Sequence, residues 1–130
     1  MLFRSTVALL LCLSPVGAEV SFNDDIRPLL SNRCYRCHGP DEGERKAKRR
    51  IDTLEGALAD HKGVRAIVPG NLEDSELIYR IVTDDEDDMM PPPEKGERFT
   101  ADQIALFKQW VMEGAKYELH WSYVKPSRPE

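Results

Sequence analysis

Five consecutive residues, Cys34-Tyr35-Arg36-Cys37-His38, concentrate the groups of this chain that could do chemistry. Two thiols three positions apart on a helical turn face the same way, so both can reach one edge of a porphyrin and add to its two vinyl groups. The imidazole of the next residue then reaches the iron. The rival readings of Cys-x-x-Cys are a thioredoxin-like redox pair, half of a zinc site and a plain disulfide. A redox pair wants βαβ surroundings. Zinc wants a second pair of Cys or His at similar spacing, whereas His61 and His120 stand isolated. The motif points to one covalent haem c held by Cys34 and Cys37, with His38 on the metal.

The second axial position has five candidates: Met89, Met90, Met112, His61 and His120. A thioether is neutral and soft, stabilises ferrous iron and suits an electron carrier. Met90 is favoured, because Pro91-Pro92-Pro93 presets a rigid extended segment after it at little cost in ordering entropy. The plainer reading makes Met89 and Met90 core filler, which a loop behind five acidic residues argues against. That run, Asp84 to Asp88, lacks the glycine-containing loop and distal Glu of a calcium site and reads as a solvated face. The basic run Arg45 to Arg50 reads as a solvated loop, or as a surface for an acidic partner or the haem propionates.

Four helical patterns must position these groups, and no segment alternates long enough to argue a strand, so the fold is expected to be all-α, wrapped around the haem. The first helix spans about Asp24 to Arg33, with Asn23 as N-cap and Pro28 forcing a later start or a bend. A short second helix covers Leu54 to Ala59 behind the cap signature Asp52-x-x-Glu55. The third covers about Leu72 to Val82, with Leu77, Ile78 and Ile81 as its buried stripe. The fourth opens on the capping box Thr100-x-x-Gln103 and presents Ile104, Phe107, Trp110 and Val111 before Gly114.

The first 18 residues have the layout of a secretory signal: Arg4, the short apolar run Val7 to Leu13, Pro15, then Val16-Gly17-Ala18. The run is too short to span a bilayer, and Leu11 before Cys12 does not suit a lipidation site. The expected organisation is a signal over 1–18, one domain over 19–123 and a linker-like tail over 124–130. Export places the domain in the periplasm, at the cell surface or outside the cell. Cleavage removes Cys12, so the mature cysteines are those of the motif, and a net charge of −5 on the whole chain gives no reason to bind nucleic acid.

Further residues carry a family resemblance. The stretches Phe22 to Leu30, Cys34 to Asp41, Val68-Pro69-Gly70, Ser75-Glu76-Leu77-Ile78, Met90 to Pro93 and Trp110 to Ala115 resemble the planctomycete-type cytochrome c domain. The resemblance implies a class I-like cytochrome c fold, with His38 and the methionine of the Met-Pro-Pro element, Met90, as axial ligands. It also implies that the domain heads a longer secreted protein, joined soon after a His-Trp element, here His120-Trp121, to further domains. The expected function is haem binding and single-electron transfer without catalysis of its own, to a redox partner protein or an attached downstream domain. The alternatives are a haem enzyme or gas sensor with an open sixth iron position, and a structural module in which haem is a folding staple.

Overall fold

The computed structural model describes residues 18–123, 125 and 126. The signal read over residues 1–18 thus lies outside them except for Ala18, as do Val124 and residues 127–130 of the tail. Among the described residues the chain is mainly helical. A π-helical turn over Phe22–Ile26 leads into α1 (Arg27–Arg33), followed by α2 (Tyr35–His38), α3 (Leu54–Leu58), α4 (Glu76–Val82) and α5 (Ala101–Met112), with a 3-10 turn at Trp121–Tyr123. No described helix is long and apolar enough to cross a membrane.

The structure departs from the all-α expectation by a small antiparallel hairpin, β1 (Asp60–His61) against β2 (Val64–Arg65), with Asp60 opposite Arg65 and His61 opposite Val64. Its two-residue turn, Lys62-Gly63, has positive φ at both positions (59° and 85°), the geometry that matches strand twist. The Asp60 carboxylate accepts from the Gly63 N–H at 2.7 Å.

Pro28 explains how the first helical stretch divides. The α-helix proper starts at Arg27, so Pro28 falls in its first turn, where a missing N–H costs nothing. The cap upstream is Ser21, whose Oγ accepts from the Asp24 N–H, not Asn23 as expected. Asn23 instead accepts from Arg27 Nε (2.8 Å) and donates to the Leu119 carbonyl (2.9 Å). The second cap shifts too, by one residue. Thr53 caps α3, because both carboxylate oxygens of Asp52 are taken by Arg50. α4 begins four residues after the expected Leu72, since the buried Ser75 hydroxyl turns back to the preceding loop. It donates to the Asn71 carbonyl (2.6 Å) and accepts from the Val68 N–H (2.9 Å). α5 has the anticipated capping box, Gln103 N–H to Thr100 Oγ1 and Thr100 N–H to Gln103 Oε1.

One continuous core joins these elements, with Phe22, Ile26 and Leu30 facing Phe107, Trp110 and Val111 of α5, and Leu77, Ile78 and Ile81 of α4 in the same cluster. Phe22 stacks on Trp110 and both rings meet Tyr117 at a tilt, with centroids 4.4 to 5.6 Å apart, and Trp110 Nε1–H donates to the Lys116 carbonyl. The two ends of the fold meet at this cluster. Val20 N–H donates to Glu113 and Gln109 to the Ala18 carbonyl, while Arg27 donates to the Glu118 carbonyl at 2.6 Å.

Candidate functional site

The Cys34–His38 segment is set by the end of α1. Cys34 N–H closes that helix on the Leu30 carbonyl (2.7 Å), and the Cys34 carbonyl accepts from both Cys37 N–H (3.1 Å) and His38 N–H (2.8 Å). The tight turn ends at Gly39, which is needed for closeness and not for a special φ. A Cβ there would lie 2.1 Å from the Tyr35 carbonyl oxygen. Beyond it, Arg45 donates to the Gly39 and Pro40 carbonyls (3.1 and 3.0 Å), so one member of the basic run fastens the loop behind the histidine. Ile51 N–H then holds the His38 carbonyl (2.8 Å), and the Ile51 carbonyl accepts from Tyr117 Oη (2.9 Å).

Two cavities, of about 150 and 320 Å³, share Cys34, His38 and Met90 in their walls. The smaller is apolar, walled by Ile51, Ala66, Leu77 and Ile81, with Arg49, Glu76 and Arg80 at its edge. The larger adds Cys37, Pro91 and Pro92 and is rimmed by Arg33, Arg36, Lys46 and Lys95, with Glu44 as an acidic member. None of the four rim cations makes an ion pair among the described residues.

The remaining candidates for the second axial position lie elsewhere. Met89 is buried, at 8 % exposure, but lines neither cavity. Met112 is 55 % exposed on α5, and His61 lies in the hairpin. His120 lines a separate hollow with Asn23, Arg27 and Tyr35, its Nδ1 2.8 Å from Ser122 Oγ. Trp110, read as core, is core.

The electrostatics suit a bound group better than a thiol redox couple. Burial pushes the Cys34 thiol up to about 12, opposite to the depressed value that makes a reactive thiolate. The two cysteines are not joined in a disulfide. Burial likewise pushes the His38 imidazole below its usual value, favouring the neutral ring a metal requires. The Lys46 and Arg49 backbones bear on that ring, but nothing meets hydrogen-bond geometry at its buried Nδ1. Among the described residues no three His, Cys, Asp or Glu side chains converge, so neither a zinc nor a calcium site finds a ligand set.

A haem fits this arrangement. The paired cavities fall within the roughly 300–1,000 Å³ typical of ligand sites, combining an apolar wall with few polar groups. The free thiols, the half-buried imidazole and the thioether are the donors a c-type haem takes. The sequence did not mark out Arg80 and Asp88, which join beside Met90 through a 2.6 Å ion pair. The signal available was the Glu76-to-Arg80 spacing of four, favourable on a helix and realised at 2.7 Å.

Residues 34–94 match the family model described as Planctomycete cytochrome C. No curated protein and no solved structure matches the chain.

Proposed function

We propose that this chain, whose residues 34–94 match the Planctomycete cytochrome C model, belongs to that family and is an exported monohaem electron carrier. The family is one of haem-binding, electron-transferring domains. Cys34 and Cys37 would hold the haem through thioether bonds, each thiol adding across one vinyl group with its hydrogen passing to the neighbouring carbon and no net oxidation. His38 and Met90 would hold its iron. The haem supplies reversible one-electron exchange. The residues of this chain hold it, exclude water from one face through Ile51, Ala66, Leu77 and Ile81, and present the cationic rim on the other cavity. Arg49, whose guanidinium among the described residues makes only 3.5 Å contacts to the Val64 carbonyl, would receive a propionate. The observation that carries the reading is the shared presence of Cys34, His38 and Met90 in both cavity walls.

The proposed organisation is a signal over 1–18, the haem domain over 19–123 and a linker-like tail. The hydrogen bond from Val20 N–H to Glu113 supports a domain that starts near residue 19. The proposed partner is an acidic redox protein or attached domain, suggested by the unpaired rim cations. Treating the mature holoprotein with acid acetone under reducing conditions tests the attachment. Thioether-linked haem stays with the polypeptide, and haem recovered in the solvent refutes the assignment.

A further inference from the structure

The segment that carries Met90 is fastened to α4 by a cluster that haem ligation leaves unused. The Arg80 guanidinium donates from Nη1 to Asp88 Oδ1 (2.6 Å) and to the Asp88 carbonyl (3.0 Å), while its Nε is held by Glu76 at 2.7 Å. Tyr79 Oη donates to the other carboxylate oxygen, Asp88 Oδ2, at 2.8 Å. Both oxygens of that carboxylate and its own backbone carbonyl are therefore occupied, two residues before Met90. Met90 N–H adds a main-chain tie to the Arg80 carbonyl at 2.8 Å. At the far end of the loop Arg98 holds Asp84 Oδ1 (2.6 Å) and the Thr83 carbonyl (2.8 Å).

We propose that Asp88, gripped by Arg80 and Tyr79, is the positioning residue for Met90: it keeps the thioether in the cavity and sets how often the sixth iron position opens. This rests on Met90 being the ligand. A ligand on a loop pinned two residues away competes for the metal at high effective concentration, and an unpinned loop regains the freedom to leave. An external ligand binds only the open fraction, so its apparent affinity reports that fraction directly. The grip uses charge-assisted hydrogen bonds, the stronger kind, although Asp88 is 38 % exposed and solvent weakens each of them.

The test is imidazole binding to the ferric holoprotein, read together with the weak red absorption of sulfur-ligated haem. Asp88→Ala and Arg80→Gln should each keep the red band yet bind imidazole about tenfold more tightly. Tyr79→Phe, which deletes one oxygen and does not threaten folding, should give a shift of about two- to threefold. Arg80→Lys, with one charged point in place of a fork, should fall between Arg80→Gln and the parent. Val111→Ala, buried in α5 and in neither cavity wall, lowers stability and should leave imidazole affinity alone. Parent-like affinity in both Asp88→Ala and Arg80→Gln overturns the proposal, as does an equal rise in Val111→Ala. If Met90→Ala keeps the band and the parent affinity, the ligand assignment falls and the positioning role falls with it.

Discussion

At the scale of single residues, Met89 and Met90 differ in what each side chain faces: Met90 lines both cavities, while Met89 is buried outside their walls. Met90→Ala should lose the red band, admit external ligands and lower the reduction potential as thioether donation disappears; Met89→Ala should keep all three properties at some cost in stability. Band loss in Met89→Ala alone would move the assignment by one residue. Gly39→Ala is expected to be more damaging than its size suggests, because the added methyl meets the Tyr35 carbonyl at 2.1 Å. The turn must open to admit it, at about 3 kcal/mol, seen in denaturant melts and as poor haem incorporation. Parent-like stability in that variant would contradict the closeness of the turn.

Elements whose signals are local were legible in the sequence, and those settled by distant partners were not. The α5 capping box needs only Thr100 and Gln103, and it formed as read. Thr100→Ala should cost about 1 kcal/mol in a denaturation experiment, and no shift in the midpoint would mean that the box is idle. Asp52 looked like an equally good cap for α3, but its carboxylate pairs with Arg50 and Thr53 takes the place. The start of α4 was hidden because Ser75 bonds to Val68 and Asn71, partners fixed only once the chain folds back. The hairpin escaped because Lys62-Gly63 carries one glycine where the usual Asn-Gly signal has two residues suited to positive φ. At the site, the Cys34–His38 motif and Met90 could be picked out from spacing and prolines. The tie between Arg80 and Asp88 bridges a helix and a loop, so only the fold brings it together.

Across the whole molecule, charge is distributed against its own average. The chain has a net charge of −5, yet the mouth of the larger cavity is rimmed by Arg33, Arg36, Lys46 and Lys95 with only Glu44 opposing them. These two features predict opposite salt effects on electron exchange with the anion ferricyanide. Net charge alone repels the anion, so salt would speed the reaction, whereas local attraction at the rim makes salt slow it. The rim should win, because the screening length falls from about 30 Å at 0.01 M to about 8 Å at 0.15 M and the nearest charges dominate. The rate should fall over that range in the parent, and much less in Arg36→Glu with Lys95→Glu; a rate that climbs with salt in the parent would sink the steering argument. The meeting of the fold's two ends has a different kind of consequence. Val20 hydrogen-bonds to Glu113 at the end of α5, and the Glu118 and Leu119 carbonyls accept from Arg27 and Asn23, while the Phe22 and Tyr117 rings lie 4.4 Å apart. A unit that is entered and left at one place can be spliced as a cassette into a surface loop of a host enzyme without parting the host's strands. The same closeness would let its gene be circularly permuted, with a short join across the old ends and a new opening in an exposed loop.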